Sequence, residues 1–108
     1  MNQNLKYHHL GIPTNQKRQN EVYLDDFKMF VSGFNESEYN IEWMRILPES
    51  NLPELIKNIP HIAFEVENLD EILIGKKVLI EPNFPSPEYK VAFIEENGAP
   101  IEFLEKVK

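Results

Sequence analysis

The chain has 108 residues, 42% of them hydrophobic, which suits one domain with a modest core. Eighteen acidic residues against eleven basic give a net charge of −7, which repels phosphate backbones and anionic bilayers and argues against nucleic acid or membrane as partners. No cysteine is present, so disulfides, thiolate nucleophiles and cysteine metal sites are excluded.

In chain order, Met1 to Lys6 holds no apolar core of signal-peptide length and no later run reaches spanning length, so a cytoplasmic protein is expected. A strand follows from Lys6 to Pro13, then a polar loop from Thr14 to Asn20 without helical periodicity. Val22 to Leu24 and Phe27 to Val31 are aromatic and β-branched, hence strands. Ser32 to Glu38 supplies hairpin chemistry, and Tyr39 to Leu47 is the return strand. Pro48 to Pro53 joins two halves, and Glu54 to Lys57 forms one helical turn with proline at its start.

The second half opens with Pro60-His61-Ile62-Ala63-Phe64-Glu65-Val66, whose alternation marks a strand. Ile62, Phe64 and Val66 form its core face; His61, Ala63 and Glu65 form a face suited to a cavity wall. Asn68 to Leu73 reads as a brief helix, capped by Asn68 with Glu71 three residues on and stopped by Gly75. Val78 to Ile80 is a strand, and Glu81 to Pro87 a proline-stiffened loop overhanging the cavity. Tyr89 to Ile94 and Ala99 to Lys106 are hairpin arms turned by Glu95-Glu96-Asn97-Gly98, an Asn-Gly hairpin signal.

Self-similarity runs through this order. His9-Leu10-Gly11-Ile12 parallels His61-Ile62-Ala63-Phe64, and Ile41-Glu42-Trp43-Met44 parallels Ile101-Glu102-Phe103-Leu104. Two histidines and two glutamates therefore stand at equivalent places in two modules, 5–50 and 58–108. If the modules close on a shared concave face, these four side chains converge. Trp43 and Phe103 alternate away from the glutamates and belong to the core, with Arg45 on the same face. His8 is expected on the face opposite His9, and Glu65 shares the face of His61 as an outer-layer residue, a general base or an exposed edge residue.

His61-Ile62-Ala63-Phe64 and the closing stretch Asn97 to Glu105, with the same pair repeated upstream, resemble the glyoxalase/bleomycin-resistance/dioxygenase group, the vicinal oxygen chelate family. The resemblance implies an α+β fold in which two βαβββ modules, here with the first helix reduced, build a curved half-barrel of mixed β-sheet. It implies a divalent metal ion, of zinc, nickel, iron, manganese or cobalt type, held by His9, Glu42, His61 and Glu102. Nitrogen and carboxylate ligands without thiolate suit such ions. It also implies lyase or isomerase chemistry on a small oxygen-chelating substrate through an enediolate or enolate, with Glu102 or Glu42 moving the proton.

No arginine cluster suited to glutathione is evident, which speaks against glutathione adducts. Two other readings of the same fold stand beside the enzyme: a metal-free, drug-sequestering dimer that traps bulky cations, and a protein-interaction module with a decayed site. A homodimer is expected in any case, because thin modules leave sheet edges that pairing would protect.

Overall fold

Strands dominate residues 4–108, the part of the chain described by the computed structural model. They are β1 (Lys6–Pro13), β2 (Val22–Leu24), β3 (Met29–Ser32), β4 (Ile41–Ile46), β5 (His61–Val66), β6 (Lys77–Ser86), β7 (Tyr89–Glu96) and β8 (Ala99–Lys106). Two short helices accompany them, α1 (Glu54–Asn58) and α2 (Leu69–Ile72), with one 3₁₀ turn over Asp25–Phe27. All eight strands form one curved mixed sheet in the order β2-β3-β4-β1-β5-β8-β7-β6. The fold is an α+β half-barrel.

The two halves share a pairing pattern. In each half the first strand runs parallel to the last, β1 with β4 and β5 with β8, and the halves join where β1 meets β5 antiparallel. The four strands carrying the repeated histidines and glutamates are thus the central four of the sheet.

Local chemistry explains the joints. Asn68 Oδ1 accepts the Glu71 N–H at 3.0 Å, and Glu105 Oε1 accepts the Leu69 N–H at 2.6 Å, so side chains satisfy two free donors at the start of α2. Leu69 is wholly buried in the core formed by Val66, Ala92, Ile94 and Phe103. Asn97 and Gly98 both take positive φ, 49° and 88°, the signature of a two-residue hairpin whose twist matches its strands. That turn is tighter than expected, because β7 stays paired through Glu96 opposite Ala99.

The connection from β1 to β2 holds no helix, so the first helix is indeed reduced. Three expectations need correction. Phe27 belongs to the 3₁₀ turn, and Lys28 at φ 52° resets the chain before β3 begins at Met29. The stretch from Glu81 to Ser86 is strand rather than loop. It lengthens β6, with register shifts against β7 around Ile80 and Asn83. Pro82 and Pro85 are tolerated because β6 is an edge strand, where a missing N–H can face away from the ladder. Ile62, expected in the core, is 36% exposed. Its neighbours Phe64 and Val66 pack against Leu69 and Ile72, but the four-residue α2 reaches no further along that face.

Among the described residues, no helix is long and apolar enough to cross a membrane.

Candidate metal centre

Register places the repeated residues symmetrically on the concave face. His61 lies opposite Gly11 and His9 opposite Ala63 across the β1–β5 pair, while Glu42 is level with Gly11 and Glu102 with Ala63. Each imidazole therefore sits over a small residue of the facing strand. At Gly11 the fit is obligatory: a Cβ there would lie 2.2 Å from His61 Cε1.

His9, His61 and Glu102 come together in the interior, at 5%, 2% and 8% exposure, and one potential ligand atom from each lies within 4.8 Å of the others. Glu102 Oε1 is the common point, 3.1 Å from His61 Nε2 and 3.3 Å from His9 Nε2. Glu42 reaches the group from the other flank, with Oε1 3.5 Å from His9 Nε2, and keeps part of its carboxylate open to the cavity. The rings of His9 and His61 meet edge to face at 5.4 Å, and Phe93 stands edge-on to His61 at 4.9 Å.

The charges are coupled. Burial alone would raise the Glu102 carboxyl, but the adjacent His61 and His9 rings outweigh it and hold the group down at about 2. Burial pushes Glu42 up; His9 counteracts this in part and the Glu102 charge adds to it. Burial opposes the protonation of His9, yet the Glu102 contact and the Glu102 and Glu42 charges prevail and raise its pKa. Equivalent positions thus give two different carboxyls, one firmly ionised and one that accepts a proton more readily.

His8 departs from expectation. The register slips between Tyr7 and His9, so His8 is the extra residue of a β-bulge and lines the same cavity as His9 instead of facing away. The Asn40 side-chain amide donates to the His8 carbonyl at 3.0 Å and ties down the bulge. His8 Nδ1 lies 2.8 Å from His9 Nδ1, its ring stacks on Phe34 at 5.2 Å, and it meets Tyr89 edge-on at 5.3 Å. Simple alternation could not reveal this. The only trace in sequence is the His8-His9 doublet, which shifts phase against its counterpart at Pro60-His61.

The remaining candidates lie outside the cluster. Glu65 is half-buried level with Lys6; its charge acts on His8, but it does not line the cavity. Trp43 packs on the far side of β4 beneath Arg18, whose guanidinium lies 4.8 Å from the ring. Arg45, on that same side, makes two 2.8 Å hydrogen bonds to Glu21 and covers the Phe30 ring at 4.3 Å. Phe103 is in the core.

The cluster fits a divalent cation. Two imidazoles and two carboxylates are the donor set of borderline and hard ions. His9 Nε2 is buried and faces the carboxylates of Glu102 and Glu42 at 3.3 and 3.5 Å without a well-aligned hydrogen bond to either, a position from which it could bind an ion in place of a proton. With an ion on Nε2 the His9 proton would sit on Nδ1, 2.8 Å from His8 Nδ1, which could accept it as the outer support that ligating histidines ordinarily have. The buried His61 Nδ1 has no hydrogen-bond partner among the described residues.

Around the cluster opens a cavity of about 260 Å³ whose walls are mainly apolar, among them Met29, Val31, Met44, Ile80, Val91 and Leu104.

No known family model matches the chain, and no curated protein matches it in sequence. Solved structures do. A hypothetical protein from Bacillus halodurans C-125 superposes with a TM-score of 0.71 at 21% identity, covering 96% of each chain. Methylmalonyl-CoA epimerase from Mycobacterium tuberculosis superposes with a TM-score of 0.59 at 20% identity, covering 96% of this chain and 88% of that one. At these identities the likeness establishes a shared fold, the curved half-barrel sheet, and no more.

Proposed function

We propose that this chain is a metal-dependent lyase or isomerase of the vicinal oxygen chelate family, acting on a small oxygen-chelating substrate through an enediolate or enolate. The observation that carries the reading is the burial of His9, His61 and Glu102 around one point, with Glu42 at its open side. Resemblance to the family's sequence pattern and fold likeness to an epimerase support it. His9, Glu42, His61 and Glu102 would hold the ion, which when bound supplies Lewis-acid stabilisation of charge developing on substrate oxygens.

The chain's own residues divide the remaining work. Glu102, firmly ionised between two imidazoles, anchors the cluster. Glu42, with part of its carboxylate open to the cavity, is the better placed proton carrier once it is released from the ion. It takes the proton from the carbon beside the substrate carbonyl and returns it to the product. The apolar walls exclude water while that proton is held.

A metal-free sequestering protein is the rival, and the apolar lining favours it. Metal analysis separates the two. Protein reconstituted with zinc, nickel, iron(II), manganese or cobalt should retain one equivalent of at least one of them after dialysis, and His61→Ala should lose it. The absence of any retained metal overturns the enzyme reading.

A homodimer remains part of the proposal. Leu5 and Ile74, at 50% and 75% exposure, flank an open apolar groove on the convex side, the kind of surface that pairing would cover. Light scattering that returns a monomer at micromolar concentration counts against it.

A further inference from the structure

We infer that the substrate carries no charge beyond its chelating atoms: a small neutral hydroxy-ketone, hydroxy-aldehyde or dicarbonyl with a compact apolar body. This rests on the metal-dependent reading of the site and names the substrate class it would take.

Three observations converge on it. The first is the cavity wall. No lysine or arginine is found among the described residues that line it, and its ionisable groups there are Glu42, Glu102, three histidines and Tyr89. Both arginines are committed on the far side of the first half, Arg18 over Trp43 and Arg45 to Glu21. Lys90 pairs with Asp70, and Lys77 with Glu95, again outside the lining. A phosphate, nucleotide or carboxylate tail reaching past the cluster would enter an apolar space with no lysine or arginine to meet it, and a desolvated, unpaired charge is strongly disfavoured there.

The second is charge balance. Two ionised glutamates cancel a divalent ion, so the loaded site is neutral when both histidines bind as neutral imidazoles. A neutral chelator preserves that balance in a low-dielectric cavity, whereas an anionic tail leaves uncompensated charge next to Glu42. The chain's net charge of −7 opposes approaching anions further.

The third is size. At about 260 Å³ the cavity lies just below the ~300–1,000 Å³ usual for small-molecule sites, so it suits a compact body over a long cofactor arm.

The test uses cobalt-loaded protein and two probes with the same chelating atoms, 2-hydroxy-1-phenylethanone and its ring 4-carboxylate, titrated by the cobalt visible spectrum. The neutral probe should bind at least tenfold more tightly. Leu24→Arg, which places a guanidinium on the cavity wall from the edge strand β2, should narrow or reverse the ratio. Ser86→Arg, entering from the opposite edge strand, serves as an independent second variant. Equal or tighter binding of the carboxylate by the parent protein, or binding of neither probe, overturns the inference and leaves the metal centre standing. Failure to hold cobalt or any of the other four ions removes the metal-dependent reading, and this inference with it.

Discussion

Glu102 and Glu42 occupy matching places in the repeat, yet their surroundings push them in opposite directions, and this asymmetry should be measurable in metal-stripped protein. The Glu102 value of about 2 lies below its ordinary 4.5, so its ionised form contributes stability above pH 4.5 that is lost as pH falls toward 2. A shift of that size corresponds to on the order of 3 kcal/mol. His9 behaves with the other sign. Its pKa is raised above 6.5, so its contribution is complete below pH 6.5 and fades as pH rises through the folded value. Urea unfolding of chelator-treated protein should therefore show greatest stability between about pH 4.5 and 6.5, and Glu102→Gln should flatten the acid limb; an unchanged acid limb contradicts the assignment. His8 gives a second residue-scale prediction. His8→Phe retains a ring to stack on Phe34 but removes the ring nitrogen that lies 2.8 Å from His9 Nδ1. Zinc affinity, measured by chelator competition, should fall by roughly 10- to 100-fold with little change in thermal midpoint. His8→Gln, which restores an acceptor oxygen, should recover part of it.

At the scale of strands, the site depends on how closely β1 and β5 approach, and Gly11 sets that distance. Gly11→Ala would drive a methyl into a His61 ring that is 2% exposed and cannot swing aside. We expect a loss of about 1–3 kcal/mol of stability, as for other overpacked interiors, together with weakened metal retention. Urea midpoints and metal stoichiometry check both, and a stable, metal-replete Gly11→Ala protein would show that the strands can separate. Elements with a local cause were legible in the sequence: the alternation of β5, the Asn68 cap, the Asn97-Gly98 turn and the repeated histidine and glutamate positions that imply the paired modules. What the sequence hid depends on neighbours. The bulge at His8 depends on its pairing with β5 and on the Asn40 amide, residues far along the chain. Prolines at 82 and 85 read as a loop until β6 is known to be an edge strand. Ile62 alternates like a core residue, and only the shortness of α2 leaves it exposed.

For the molecule as a whole, the two halves share one sheet whose ladder crosses between them where β1 pairs with β5, and His9 with Glu102 and His8 with Tyr89 add side-chain contacts across the same seam. The proposed ion would take ligands from both, His9 and Glu42 from one half and His61 and Glu102 from the other, so it would tie the halves together across that seam. An unfolded chain cannot present the four groups together, and binding energy therefore becomes folding energy. Free metal at a hundred times its Kd should add about 2.7 kcal/mol. For a chain of this length, with about 4–8 °C per kcal/mol, the thermal midpoint should rise by roughly 10–20 °C. His61→Ala should abolish the rise while keeping the sheet, since it removes a ligand and frees space over Gly11. The two halves should also melt together, because a ligand set divided across the seam couples them. Calorimetry with and without metal checks both expectations. A midpoint indifferent to every candidate ion would mean that the seam is held without an ion, by the β1–β5 ladder and by the imidazole–carboxylate cluster acting as a buried ion-pair network.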